Sequence, residues 1–271
     1  MEVVAVQDRN ALGFFSWYGY DLPFDERLRH IRKAGFTDVS IWLGIEEQFV
    51  AEKQPNRMCE AAAKMKLHIE CAHAPYTNCN DIWDSREKVR EGLFEEIAAC
   101  VRFCSSHSIP ILVMHASKGD NPPIPNENGL MLLRKLVVVA EAQNVITAIE
   151  NTRKVETFDY VLSAIDSPFL GFCYDSSHDF LYSKPPGAIL KRWGHRLTYT
   201  HFSDNDGNAD RHWIPGKGII NWEIIRTSFP RDWPGRISLE VVPQSVNDEG
   251  IDDFLEESVR KGLWLQRMLR E

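Results

Sequence analysis

The sequence predicts an α/β fold, a single closed (β/α)8 (TIM) barrel spanning residues 1–271. The length of 271 residues is close to the roughly 250 residues of such a barrel. Short β-rich runs alternate with longer segments of helical period, which is typical of repeated βα units around a parallel sheet. No linker, low-complexity tract or internal repeat divides the chain, so we predict one domain.

Eight runs have the length and composition of strands, which is the number that closes the barrel. They cover residues 12–17, 38–42, 68–72, 109–114, 145–149, 170–174, 197–200 and 236–239. A doubly wound open sheet is the structural alternative. It does not explain why residues of metal-binding type follow almost every strand.

Helices are predicted in the segments that separate these strands. The clearest covers residues 85–107, where apolar positions recur every three or four residues and Ser85 is the predicted N-cap. Others cover residues 128–142 and 252–268. These helices should coat the outside of the barrel.

Composition excludes several classes of protein. Hydrophobic residues make up 44% of the chain, and no apolar run approaches the roughly 20 residues needed to span a bilayer. The first ten residues lack the features of a secretory signal, which predicts a cytoplasmic protein. A net charge of −8 argues against a nucleic-acid partner. The six cysteines have neither zinc-finger nor disulfide-framework spacing and are predicted to be reduced thiols.

Nine residues of the types that bind divalent cations recur down the chain, mostly just after apolar runs. They are His73, His115, Glu150, Asp175, His178, His201, Asp210, His212 and Glu240. Six successive strands, from the third to the eighth, are each followed by one of them. Because the loops that leave the carboxyl ends of barrel strands share one face, these residues should converge over the barrel centre.

Two of the candidates, Glu150 and Glu240, are carboxylates at the ends of apolar strands. Burying them is costly unless they are paired, and a divalent cation is the natural partner. Salt bridges with Arg153 or Arg211 are the alternative. For a single histidine beside an apolar run, a structural hydrogen bond is the commoner role, so the prediction depends on the joint placement.

Several short motifs carry a family resemblance. They are HAPYTN with His73, IENT with Glu150, CYDSSH with Asp175 and His178, HFSDN with His201, and DRH with Asp210 and His212. The chain resembles the xylose isomerase-like barrel superfamily, which includes sugar isomerases and epimerases and the zinc-dependent apurinic endonucleases. The resemblance runs from about the third strand to the eighth. It implies a central cation held by Glu150, Asp175, His201 and Glu240.

The remaining five positions resemble additional ligands of the endonuclease branch, in which three zinc ions lie together. That likeness implies that His73 and His115 join Glu150 at one ion, and that His178, Asp210 and His212 hold another. The donors suit zinc, manganese, magnesium or cobalt without selecting one. One ion is the main prediction, with up to three zinc ions as the alternative. The segment from His201 to Asp210 looks shorter than its endonuclease counterpart, which weakens the case for DNA cleavage.

The resemblance implies a metal-dependent isomerase or epimerase that acts on a sugar, sugar phosphate or inosose through an enediolate. Glu150 and Glu240 would be the catalytic acid and base. His178 and Arg211 would hydrogen-bond the substrate, with Trp17 and Trp213 at the pocket rim.

Trp42, inside a strand, is predicted to pack in the core. A zinc-dependent phosphoesterase is the competing enzyme, and a sugar-sensing protein without turnover is a third possibility. A homo-oligomer is compatible with the sequence.

Overall fold

The computed structural model describes residues 11–44 and 54–270. The first ten residues, on which the prediction of no secretory signal rests, lie outside these ranges. Within them, eight parallel strands form one sheet in the order β7-β6-β5-β4-β3-β2-β1-β8. The strands are β1 (Leu12–Phe15), β2 (Asp38–Trp42), β3 (His68–His73), β4 (Ile111–His115), β5 (Ile146–Glu150), β6 (Leu170–Asp175), β7 (Leu197–His201) and β8 (Ile237–Leu239).

The sheet closes on itself into a barrel. Its two outer strands, β7 and β8, meet just beyond β7, where Phe202 forms a parallel bridge with Leu239. The backbone N–H of Phe202 donates to the Ser238 carbonyl at 3.0 Å, and the N–H of Glu240 donates to the Phe202 carbonyl at 3.2 Å. Because these bonds join the free edges, the predicted (β/α)8 barrel is confirmed, and all eight predicted strands are present.

Helices cover the outside of the barrel. In the described ranges they are α1 (Phe24–Ala34), α2 (Pro55–Lys64), α3 (Glu87–Ser106), α4 (Glu127–Gln143), α5 (Val155–Ala164), α6 (Ser176–Tyr182), α7 (Ala188–Trp193), α8 (Trp222–Ser228) and α9 (Ile251–Arg270). Helix α1 shows the common pattern: Phe24, Leu28 and Ile31 recur at helical spacing and are buried. It ends at Gly35, whose φ of 113° favours glycine. Among the described helices, none is both long and apolar enough to cross a membrane.

The prediction of Ser85 as an N-cap is wrong. Helix α3 begins at Glu87, and the side chain in the cap position, Arg86, makes no capping bond. The side chain of Asp84 instead accepts a hydrogen bond from the Arg86 N–H at 2.7 Å. The Asp84 carboxylate therefore fixes the turn that leads into the helix, and no side chain among the described residues caps its first turn.

A buried cluster lies inside the barrel below its carboxyl-terminal mouth. Its members are Cys71, Ile111, Val113, Ala148, Cys173 and Tyr199. The Tyr199 hydroxyl donates to Ser238 Oγ at 2.8 Å, which satisfies its polar end. All six cysteines are free thiols, as the sequence predicts. This packed floor supports the residues at the mouth.

Candidate active site

The carboxyl ends of six strands deliver the predicted ligands to one end of the barrel. His73, His115, Glu150, Asp175 and His201 are the last residues of β3 to β7, and Glu240 directly follows β8. Five of the six belong to the strand itself and not to the loop after it. Because a strand end is held by the hydrogen bonds of the sheet, these side chains start from a rigid backbone.

Four of these residues form a compact donor group. One potential ligand atom from each of Glu150, Asp175, His201 and Glu240 lies within 4.8 Å of those of the other three. Asp175 and His201 are fully buried, and the Glu240 side chain is 22% exposed. Three carboxylates in so small a space repel one another, which is the arrangement that a divalent cation offsets.

Glu150 lies at the centre of the site. Its Oε2 atom is 3.3 Å from His73 Nε2, 3.3 Å from His115 Nε2 and 3.1 Å from His201 Nδ1. Its Oε1 atom is 3.2 Å from Nδ1 of His178. A carboxylate oxygen has about two lone pairs, so it cannot accept good hydrogen bonds from three imidazoles at once. Such crowding of donor atoms is typical of residues that surround a shared cation.

The site also contains buried polar atoms without partners. Within the described residues, Asp175 Oδ2 and His201 Nε2 have no hydrogen bond. Unpaired buried polar atoms are costly, and they cluster at sites that bind ions or react. The donor set of carboxylate oxygens and imidazole nitrogens therefore fits a divalent cation of the kind that the sequence predicts.

The electrostatics of the metal-free protein reflect this crowding. Burial favours a raised pKa for Glu150, but the imidazoles of His115 and His201 hold the pKa of its carboxyl well below the ordinary value. Burial raises the pKa of Asp175 to about 7. For His201, burial is outweighed by Glu240 and Glu150, which raise its pKa to about 9. At neutral pH the raised pKa of His201 favours its protonated form, which offsets part of the negative charge of the carboxylates.

A second group of side chains forms one wall of the site. Asp210 Oδ2 lies 2.9 Å from His178 Nε2 and 3.1 Å from His212 Nε2, so one carboxylate oxygen holds two imidazoles. The backbone of His212 has a φ of 52°, which is unfavourable for a side-chain-bearing residue. Glu240, through its carbonyl oxygen, lies 3.2 Å from His212 Nδ1. Non-glycine residues in this conformation persist where the surrounding contacts hold them, often at functional sites.

These groups surround a cavity of about 390 Å³ at the barrel mouth. Its lining residues are Phe15, Trp17, Trp42, His73, Tyr76, His115, Glu150, His178, Asp210, His212, Glu240, Val241 and Val242. Four aromatic lining residues, Phe15, Trp17, Trp42 and Tyr76, pack together, and the carboxylates and imidazoles form the polar part of the lining. That division is suited to a ligand with polar oxygens on one side and carbon-bound hydrogens on the other.

The aromatic wall includes a residue that sequence reasoning missed. Tyr76 stacks on His115 with ring centroids 5.0 Å apart, and on Trp42 at 5.9 Å. Its position three residues after His73 was the available signal. Trp42 is buried, as predicted, yet it also lines the cavity.

The predicted substrate contacts divide into two pairs. Trp17 and His178 line the cavity. Arg211 does not; its Nε donates to Asp206 Oδ2 at 3.0 Å on the surface. Trp213 is not among the lining residues either. Its backbone forms an antiparallel bridge with Asp204, in which each N–H donates to the other residue's carbonyl. Substrate contact by Arg211 and Trp213 thus stays a prediction, since neither residue lines the cavity.

A comparison with known families agrees with this architecture. The profile of the xylose isomerase-like TIM barrel matches residues 28–266. The chain belongs to this family. The resemblance inferred from the sequence motifs is confirmed, and the match extends upstream to the first helix of the barrel.

Two curated relatives illustrate where this xylose isomerase-like chain lies in the family. An uncharacterised protein of Sinorhizobium fredii is 27% identical over 245 residues, 77% of this chain and 79% of the relative. Fructoselysine 3-epimerase of Shigella flexneri is 22% identical over 253 residues, 87% of this chain and 91% of the relative.

Solved structures of xylose isomerase-like barrels share the fold. D-Psicose 3-epimerase in the presence of D-fructose has a TM-score of 0.77 at 12% identity, covering 96% of this chain and 100% of that chain. L-Ribulose 3-epimerase has a TM-score of 0.75 at 14% identity, covering 94% of this chain and 95% of that chain. At these identities the likeness establishes the fold, and the site must be argued from its own residues.

Proposed function

We propose that this chain is a divalent-metal-dependent sugar epimerase that inverts a carbon next to a ketone in a carbohydrate. The observation that carries the proposal is the pair Glu150 and Glu240, whose Oε2 atoms each lie 3.1 Å from Nδ1 of His201 at the cavity. The fructoselysine, psicose and ribulose epimerases among its relatives support this class of reaction. Isomerisation between neighbouring carbons is the nearest variant of the same chemistry.

The cofactor that we propose is one divalent cation, held by Glu150, Asp175, His201 and Glu240. Zinc, manganese, magnesium and cobalt all accept oxygen and imidazole donors. A cation at this position would polarise the substrate carbonyl and offset the negative charge that develops beside it. The unpaired Asp175 Oδ2 is an atom that such an ion would satisfy.

Glu150 and Glu240 would exchange the proton. One carboxylate removes the proton from the carbon next to the ketone, and the electron pair of the broken C–H bond moves into an enediolate. The other carboxylate then returns a proton to the same carbon from the opposite face. Nothing is oxidised or reduced, and the carboxylates regain their starting state after a compensating proton transfer.

The cavity walls would hold the sugar in place. His178 is within reach of both Glu150 and Asp210 and would hydrogen-bond a hydroxyl or carbonyl oxygen of the substrate. Trp17 and Tyr76 would cover the carbon side of the sugar. Flat aromatic faces can pack against C–H groups without competing for hydrogen bonds.

The test is exchange of a carbon-bound proton with solvent. The metal-loaded protein would be incubated in heavy water with D-fructose, D-psicose, D-tagatose and L-ribulose, and NMR would follow the signal of the proton next to the ketone. Loss of that signal with appearance of the epimer supports the proposal. No exchange with any ketose, by protein shown by elemental analysis to hold metal, would refute it for this substrate class.

Phosphoester hydrolysis is the second candidate, and one observation favours it. His73, His115 and Glu150 form a second group of three donors, which shares Glu150 with the first group. Two or three neighbouring cations are what such hydrolases use to steady the attacking and leaving oxygens. Incision of duplex DNA containing an abasic site, combined with more than one zinc per chain, would favour this candidate over the epimerase.

A further inference from the structure

Two adjacent serines of the CYDSSH motif, Ser176 and Ser177, begin helix α6 and are fully buried. Their hydroxyl groups have different partners. Ser176 Oγ donates to the Ser203 carbonyl at 2.6 Å and accepts from the Ser203 N–H at 3.0 Å. Ser177 Oγ lies 2.7 Å from Asp210 Oδ1 and 2.9 Å from Asn205 Nδ2. Only the second serine is therefore connected to the wall of the cavity.

The direction of the hydrogen bonds at Ser177 follows from its neighbours. Asn205 Oδ1 accepts from the Gly207 N–H at 2.7 Å, so the amide nitrogen of Asn205 is the atom that faces Ser177. A hydroxyl has one proton, and an ionised carboxylate can only accept. Ser177 therefore accepts from Asn205 and donates to Asp210. The result is a chain in which Asn205 donates to Ser177 and Ser177 donates to Asp210.

This chain fixes the rotation of the Asp210 carboxyl group. Because Oδ1 is taken by Ser177, Oδ2 is the oxygen that meets both imidazoles, at 2.9 Å from His178 and 3.1 Å from His212. Neither Ser177 nor Asn205 lines the cavity. Their side-chain hydrogen bonds reach the lining at the Asp210 carboxylate.

The loop that carries Asp210 is anchored separately. Asp204 is fully buried, and its side chain accepts from the N–H groups of Gly216 at 2.8 Å and Ile220 at 3.1 Å. Its Oδ2 also accepts from Trp222 Nε1 at 3.1 Å. One carboxylate thus ties both ends of the segment between β7 and α8. Because these bonds already hold the loop, the hydrogen bond from Ser177 affects the orientation of the Asp210 side chain and not the position of the loop.

We propose that Ser177 and Asn205 are positioning residues that orient the Asp210 carboxylate so that it holds the imidazoles of His178 and His212 facing the cavity. The expected kinetic consequence rests on the proposed epimerase function. The geometric consequence does not, since it concerns the imidazoles of the metal-free protein. Histidine NMR signals therefore test the positioning role, and steady-state kinetics test its consequence for the proposed epimerase.

The decisive variant is Ser177→Ala, with Ser176→Ala as its matched control. Both remove one buried hydroxyl from the first turn of the same helix, but only Ser177 bonds Asp210. NMR of the histidine side-chain nitrogens in the metal-free protein should show altered signals for His178 and His212 in Ser177→Ala alone. With a ketose that the wild type epimerises, KM should rise about tenfold, while kcat changes less than about threefold.

A second variant, Asn205→Asp, tests the direction of the chain. The new carboxylate would keep the acceptor for Gly207 and would draw the single Ser177 proton away from Asp210. It should therefore reproduce the imidazole changes of Ser177→Ala while leaving the serine in place.

Two results would overturn the proposal: unchanged imidazole signals in Ser177→Ala, or the same changes in Ser176→Ala. Altered imidazoles in a protein whose wild type exchanges no substrate proton would support the positioning role and count against the epimerase.

Discussion

Glu150 Oε2 lies 3.1 Å from Nδ1 of His201, although the two residues are 51 positions apart in the sequence. The same His201 nitrogen is 3.1 Å from Oε2 of Glu240. One buried imidazole edge is therefore shared by the two carboxylates proposed to exchange the substrate proton. Strands β5, β7 and β8 bring these three side chains to one point at the mouth of the barrel.

Replacement of either shared carboxylate should stop proton exchange. We expect Glu150→Gln and Glu240→Gln to lower the exchange rate by about 10²–10⁴-fold, because an amide can neither accept nor return the proton. The matched control is Glu249→Gln: the Glu249 side chain is 24% exposed, similar to the 22% of Glu240, but pairs with Lys217. Exchange in heavy water measures the effect. Full activity in either site variant would remove that residue from its role.

Metal content and thermal stability both test whether the four-donor group binds a cation. We expect about one ion per chain by elemental analysis, and a melting midpoint several degrees higher with metal at about 100 times its Kd. His201→Ala should abolish this increase, because the imidazole belongs to the donor group. His115→Ala should keep the stoichiometry of one, since that residue lies outside the group. A fall from three ions to two in His115→Ala would instead indicate a multinuclear centre.

Glu70 gives the protein a pH-dependent stability that is separate from the site. Burial raises the pKa of Glu70 to about 7 from 4.5, and its Oε2 atom has no hydrogen bond within the described residues. The folded protein thus keeps this proton between about pH 4.5 and 7, where the unfolded chain releases it. Its contribution to stability is present below that window and is lost as pH rises through it.

Glu70→Gln should therefore increase the free energy of unfolding at pH 8.5 by up to roughly 3 kcal/mol, with little change at pH 4.5. Urea denaturation at the two pH values measures the difference. The same substitution at the exposed Glu91 serves as the surface control. An equal effect of Glu70→Gln at both pH values would contradict the assignment.

The aromatic wall should affect substrate binding more than turnover. Tyr76→Ala removes the ring that stacks on both His115 and Trp42, and we expect KM to rise about tenfold with a smaller change in kcat. Tyr76→Phe keeps the ring and should stay within about threefold of the wild type. Steady-state kinetics with the preferred ketose distinguish the two. An unchanged KM in Tyr76→Ala would exclude the ring from the sugar-binding surface.

Much of the barrel could be predicted because its signals are local. Strand and helix periods depend on neighbours a few residues away, so all eight strands were found with boundaries close to those observed. The Ser85 cap was predicted wrongly because the helix begins two residues later, at Glu87, and Asp84 accepts the hydrogen bond from the Arg86 N–H. The residue at which a helix begins is decided by geometry that a pattern does not contain.

Part of the candidate site could be predicted because residues that directly follow a barrel strand lie at the mouth of the barrel. That rule placed six residues at the mouth, and the family resemblance selected Glu150, Asp175, His201 and Glu240 from them as metal ligands. Neither gave a reason to include Tyr76. Arg211 shows the opposite limit: it is next to Asp210 in sequence, yet it pairs with Asp206 on the surface. Neighbours in a loop point in different directions, so membership in a motif does not fix which side chain enters the cavity.

The sequence by itself determined the barrel, the family and the residues that reach the mouth of the barrel. This was possible because parallel strands place all their carboxyl ends at one face, so a residue that ends a strand must lie there. Only the tertiary structure decided which atoms meet. The three imidazoles around one Glu150 oxygen, and the hydrogen-bond chain from Asn205 through Ser177 to Asp210, depend on side-chain rotations. Those rotations are set by packing between residues far apart in the chain, which one-dimensional periodicity does not encode.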